Sequence, residues 1–176
     1  MQFGTVTGPL LNGVARELEA LGYDAVLFAD SQCRAPEVWT ALGAAALETD
    51  TVLLGPGVTN TVTRDPSVIA CAAATVHKLT DGRAVLAIGR GDSAAHFIGR
   101  KPEALVTYET KIDDLRRYLH GEPVRRGVVD STIQWLPLLA EHGPVPIEMV
   151  PSGPKVAGIA ARYADRISFA IGRNPD

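Results

Sequence analysis

The stretch that decides the fold runs from Thr51 to Ser93: TVLLGPGVTN (51–60), then TVTRDPSVIACAAATVHKLTDGRAVLAIGRGDS (61–93). Its first apolar run shows no alternation of polar and apolar residues, which is the pattern of a strand buried on both faces. Asp65-Pro66 then opens a helix, because proline suits the first helical turn. Ile69, Ala73, Val76 and Leu79 recur on one side of that helix, and Asp81-Gly82 ends it. A second apolar run follows at once, AVLAIG (84–89). Strand, helix and strand in this order form one parallel β/α unit joined by a right-handed crossover.

The same rhythm extends in both directions. Upstream lies a weak run, QFGTVT (2–7), with Pro9 and Asn12 as turn and cap. A helix carrying Val14, Leu18 and Leu21 follows and stops at Gly22. The run AVLFAD (25–30) is a buried strand, and Pro36 opens a helix with Val38, Leu42 and Ala45. Downstream, a long helix from Pro102 to His120 places Leu105, Tyr108, Ile112, Leu115 and Leu119 on one stripe. Residues 121–144 break the rhythm and read as an inserted loop or hairpin. It resumes with VPIEMV (145–150), a helix from Pro154 to about Ala164, and RISFAIG (166–172).

Six strands result, in one α/β domain covering residues 1–176. An open doubly wound sheet fits this pattern, and so does part of an eight-stranded barrel. A complete barrel takes about 250 residues, so the chain is about two units short of one at its C-terminal end.

Composition narrows the function. Seventeen basic against 20 acidic residues give a net charge of -3, without the concentrated positive field that nucleic acid requires. The pairs Arg116-Arg117 and Arg125-Arg126 read as solvated surface. Two widely spaced cysteines, Cys33 and Cys71, make neither a disulfide framework nor a metal motif and suit the cytoplasm. No apolar run reaches the roughly 18 residues of a membrane span. His77, His96, His120 and His142 show no metal-binding spacing, and no metal is expected. His77 and His120, near helix ends, read as surface residues. His96 is the one histidine close to a candidate loop.

In either architecture, ligands sit beyond the carboxyl ends of the strands. The polar and glycine-rich segments there are Asp30-Ser31-Gln32, Gly57-Val58-Thr59-Asn60, Arg90-Gly91-Asp92-Ser93, Ser152-Gly153-Pro154 and Gly172-Arg173-Asn174. Paired glycines in GPGVTN let a flat ligand lie against bare backbone. Gly89, Gly91 and Ala94 have the spacing of a dinucleotide fingerprint, although a lone match is a weak signal. Ser152 and Gly153 precede a helix whose free N–H groups attract anions.

These strand-end motifs resemble a known family. LGPGVTN (54–60), the stretch from Thr63 to Ser93, FADSQ (28–32) and VPSGPKVAGIAARYADRISFAIG (150–172) look like the luciferase-like monooxygenase superfamily. The branch they resemble comprises coenzyme F420-dependent oxidoreductases related to methylenetetrahydromethanopterin reductase. The resemblance implies a (β/α)8 barrel holding coenzyme F420, or alternatively FMN, at the carboxyl face. It further implies a non-prolyl cis peptide at Gly57-Val58, a proton-transfer role for Asp92 beside the ring, and the cofactor's phosphate at Ser152-Gly153-Pro154. Asp30, Thr59, Asn60, Arg90, Gly91 and Ser93 complete the cofactor-binding candidates. Some members carry a histidine directly after the aspartate that ends the second strand. Here Ser31 follows Asp30, and histidine chemistry is not expected at that position.

The implied activity is hydride transfer between a deazaflavin and a small organic substrate, with neither nucleic acid nor membrane as partner. Two parallel strand edges left open by a partial barrel imply a homo-oligomer. Two alternatives stay open: a truncated, non-catalytic cofactor-binding or interaction domain, and a Rossmann-type NAD(P) protein using Gly89, Gly91 and Ala94.

Overall fold

A computed structural model describes residues 3–8 and 13–169. The first elements are β1 (Gly4–Thr7), α1 (Val14–Ala20), β2 (Ala25–Phe28), α2 (Val38–Ala46) and β3 (Leu53–Pro56). After a break the third strand continues as β4 (Thr59–Asn60), and α3 (Pro66–Leu79), β5 (Leu86–Gly89), α4 (Asp92–Phe97) and α5 (Leu105–Leu119) follow. A hairpin of β6 (Val124–Arg126) and β7 (Val129–Ser131) and a 3-10 turn at Leu136–Leu139 lead to β8 (Ile147–Met149). The last elements are α6 (Pro154–Tyr163) and β9 (Arg166–Ile167).

The parallel strands lie side by side in chain order. β1 pairs with β2, placing Gly4 opposite Ala25, and β2 pairs with β3, placing Ala25 opposite Leu53. β4 pairs with β5, β5 with β8, and β8 with β9, all parallel. The two groups join through Leu54 and Ala84. There the Leu54 N–H donates to the Arg83 carbonyl at 3.0 Å, and the Val85 N–H donates to the Leu54 carbonyl at 2.9 Å. A doubly wound sheet reverses its strand order at a switch point. This order never reverses, which makes the sheet a curved segment of barrel and sets the doubly wound alternative aside.

Helices α1, α2, α3, α5 and α6 each pack on the next around the outside of the sheet. Strand residues Val26, Leu54, Leu86, Ile88, Ile147 and Met149 are fully buried against Leu42, Ile69, Ile112 and Leu115 of the helices. All four residues of β5 are buried, the physical reason its run shows no alternation.

Helix starts follow their caps. Asp65 accepts the Ser67 N–H at 2.9 Å ahead of α3. α2 begins at Val38 because Glu37 accepts the Thr40 N–H at 2.7 Å, two residues later than Pro36. α5 begins at Leu105, three residues after Pro102. Glu19 ties α1 to the start of β3 by accepting the N–H groups of Asp50, Thr51 and Val52. Burial pushes the Glu19 carboxyl up, but these backbone bonds outweigh it and bring the pKa down to about 2.

His77 corrects the surface expectation: it is 1% exposed. Its Nδ1 accepts the Ala84 N–H at 3.3 Å, and its ring meets that of His142 edge-on, with centroids 6.0 Å apart. Burial holds the imidazole pKa below its ordinary value, and the pair anchors the segment before β8 to the end of α3. His120 is exposed. Of the paired arginines Arg125 is exposed, whereas Arg116, half-buried, donates to the Tyr163 carbonyl at 3.2 Å.

The outer edges of β1 and β9 carry no strand partner among the described residues. Between them opens a groove of about 440 Å³, lined by Val6, Leu27, Val58, Val150 and Phe169 with Glu148. Pro9, Asn12 and Gly172-Arg173-Asn174 lie outside the described residues, as does the end of the RISFAIG run. Among the described residues no helix is long and apolar enough to cross a membrane.

Candidate functional site

Four strand ends converge on a cleft of about 400 Å³. Ala29, Asp30 and Ser31 enter it after β2, Gly57, Val58 and Asn60 from the β3–β4 break, and Val150, Pro151 and Ser152 after β8. The remaining wall is Gly89 to Ala94, at the end of β5 and the start of α4. The peptide between Gly57 and Val58 is cis.

Each polar group in the wall is set by its local chain. Asn60 is 1% exposed, and its Oδ1 accepts the N–H groups of Val62 at 3.1 Å and Thr63 at 3.0 Å. Those bonds fix the amide orientation and leave Nδ2 a buried donor with no partner. A side chain at Gly91 would press on Asn60, with Cβ 3.0 Å from the Asn60 Cγ. Its φ of 83° independently favours glycine. Gly91 is the N-cap of α4, a six-residue helix where the sequence pattern predicts only a loop. Asp92 and Ser93 open α4 exposed at the cleft wall.

Asp30 is 5% exposed and takes three donors. Gln32 Nε2 approaches at 2.7 Å, Thr59 Oγ1 at 2.7 Å and Arg64 Nη1 at 2.5 Å. The other Arg64 nitrogen reaches Glu37 at 2.7 Å. Thr59 is therefore turned inward onto Asp30 and stays out of the cleft wall, the one candidate of GVTN placed so. Sequence reasoning missed Arg64; the available signal was that a buried aspartate needs a cationic partner.

Arg90 lies between this cleft and a second one of about 370 Å³, lined also by Leu105, Ser152, Gly153, Pro154 and Lys155. Its Nε donates to the Glu103 carbonyl at 3.1 Å, while among the described residues its terminal nitrogens meet no carboxylate. Gly153 caps α6 without a side-chain bond, so the first-turn N–H groups face the second cleft unsatisfied. Behind Arg90, the Tyr108 hydroxyl is buried without a partner, and burial pushes its pKa up. The structure thus gathers Asp30, Gly57, Val58, Asn60, Arg90, Gly91, Asp92, Ser93 and Ser152 at one cleft, with Gly153 and Pro154 at its neighbour. Among the described residues no group of three or more metal-ligating side chains could hold an ion.

Comparison with known proteins decides the ancestry. The model of the family described as luciferase-like monooxygenase matches residues 11–176. The chain belongs to the luciferase-like monooxygenase family. Within this family it is 30% identical over 155 residues to a 5,10-methylenetetrahydromethanopterin reductase of Methanolobus tindarius, covering 87% of the chain and 47% of that protein. The coenzyme F420-dependent tetrahydromethanopterin reductase of Methanopyrus kandleri superposes with a TM-score of 0.76 at 21% identity, over 96% of the chain and 55% of that structure. The FMN-bound oxygenating constituent of 3,6-diketocamphane monooxygenase of Pseudomonas putida gives 0.71 at 15% identity, over 94% and 57%. This luciferase-like chain spans about half the length of the relatives it matches. Its strand order and family leave the glycines Gly89 and Gly91 as barrel strand-end residues rather than a Rossmann fingerprint.

Proposed function

We propose that the two adjoining clefts hold coenzyme F420 and that the chain contributes the cofactor half of a hydride-transferring oxidoreductase. One observation carries this reading: Arg90 lines both clefts with terminal nitrogens that meet no carboxylate among the described residues, and Asn60, whose buried Nδ2 has no partner among them, lines the first. A buried donor left unpaired costs about 1–3 kcal/mol, and a ligand carbonyl offsets that cost. Gly57 and Gly91 line the wall, and each is glycine for a packing reason: a Cβ would lie 2.8 Å from the Leu27 Cβ at Gly57 and 3.0 Å from the Asn60 Cγ at Gly91. Arg90, Ser152 and the N–H groups opening α6 suit a phosphate, since a helix N-terminus favours an anion. The residues present therefore fit a deazaflavin with a phosphate-bearing tail.

Coenzyme F420, when bound, supplies the hydride chemistry. Asp92 holds a proton at its carboxyl oxygen, in the role of general acid or base. Asp30, fixed by Arg64, positions Thr59 and through it the β3–β4 break. Fluorescence titration with coenzyme F420 tests the reading, with FMN and NADPH as comparators. Saturable binding of coenzyme F420 is expected, lost in Gly91→Val and kept in Asp92→Asn. No binding of coenzyme F420 or FMN by the wild-type chain contradicts it.

A second reading, cofactor binding without turnover, is favoured by the open groove between β1 and β9. Phe3, Val6 and Phe169 are exposed on that side, and unpaired edges recruit further strands. Self-association through these edges predicts a mass above that of one chain by light scattering; a monodisperse monomer contradicts it. Two free cysteines, Cys33 and Cys71, suit a cytoplasmic setting for either reading.

A further inference from the structure

We infer that Arg34 and Phe97 form the outer recognition element of the cleft and select an organic anion as substrate, an inference that rests on the cleft being the oxidoreductase site proposed above. Ser31 and Ser93 both line the cleft, the one after β2 and the other at the start of α4. Arg34 lies in the turn just beyond Ser31, its N–H bonded to the Ser31 carbonyl at 3.0 Å. Cys33 holds that turn in the left-handed region, with φ 63°. Phe97 lies four residues beyond Ser93 on α4 and so on the same helix face. The Arg34 guanidinium carbon sits 5.4 Å from the Phe97 ring centroid. Sixty-three positions apart in sequence, the two side chains thus meet across the rim.

Both residues remain accessible: Arg34 is exposed, and Phe97 is 54% exposed. Among the described residues no carboxylate pairs with Arg34, so its charge is available to a ligand. An exposed cation–π contact is worth only about 0.5–1 kcal/mol, weak enough to be exchanged for a contact with a bound molecule. Arg100, three residues beyond Phe97, donates to the Val62 carbonyl at 2.9 Å and tethers the end of α4. Of the two carboxylates in the cleft wall, Asp30 is engaged by Arg64, and Asp92 has no ion pair among the described residues. An exposed guanidinium beside an aromatic face suits an acid group next to an apolar or planar body.

The test uses phenylacetate and its neutral amide, phenylacetamide, as probes of the protein with coenzyme F420 bound, read by calorimetry. Phenylacetate is expected to bind at least about tenfold more tightly, the scale of a hydrogen bond to a charged group. Arg34→Gln should erase that preference, and Phe97→Ala should weaken both probes, while coenzyme affinity in both variants stays within about twofold of wild type, since neither residue lines the cleft floor. Equal binding of acid and amide overturns the inference, as does a preference that survives Arg34→Gln or no binding of either probe. If coenzyme F420 itself fails to bind, the proposed function falls instead, and the same comparison on the cofactor-free protein still decides the rim.

Discussion

Replacing Arg64 by methionine is expected to lower the unfolding free energy by about 3–5 kcal/mol, the cost of stranding a buried charge. Asp30 and Arg64 are 3% and 15% exposed in their side chains, so neither charge has water to fall back on. The substitution leaves Asp30 with two neutral donors, Thr59 and Gln32, in place of a guanidinium. Adding Asp30→Asn to Arg64→Met should recover a large part of the loss, because it removes the stranded charge. Urea melts of the wild type, both single variants and the double variant measure the coupling. Simple additivity of the two single effects would show that the pair is not a unit.

Gly55→Ala is the second large effect, and its cause is steric rather than conformational. A Cβ at Gly55 would lie 2.1 Å from the Val85 carbonyl oxygen and 3.0 Å from the Val85 Cγ1. Neither atom can yield cheaply, because the Leu54–Ala84 joint holds β3 against β5 at this point. A loss of about 3 kcal/mol is expected, at the upper end of overpacking costs. Gly43→Ala serves as the control. Gly43 lies within α2, and a Cβ there meets nothing within 4 Å. That substitution should stabilise by about 0.5–1 kcal/mol, the helix penalty of glycine. Thermal melts showing Gly55→Ala no less stable than Gly43→Ala would contradict the close approach of the strands.

These two sites also show what a sequence reveals and what it hides. Strands such as Leu86–Gly89 were legible because a strand buried on both faces must be apolar throughout. The break at Gly57-Val58 was legible through the family likeness of LGPGVTN. The two glycines of that motif meet different neighbours: a Cβ at Gly55 would strike the Val85 carbonyl oxygen, and one at Gly57, which also lines the cleft, would lie 2.8 Å from the Leu27 Cβ. Composition alone does not separate a glycine that lines a cleft from one that only lets a neighbouring strand approach. The Asp30–Arg64 pair spans 34 positions and that of His77 with His142 spans 65, distances at which no local pattern signals contact. α4 went unread because six residues, DSAAHF, are too few to establish a helical period.

In the proposed function, the strand ends at Gly57–Asn60, Gly89–Ser93 and Ser152–Pro154 hold the cofactor together. Amide hydrogen exchange with and without saturating coenzyme F420 tests it most directly. Protection is predicted in peptides covering those three segments, with none in the Val124–Ser131 hairpin. Bound coenzyme that protects other segments and leaves these unchanged would contradict it.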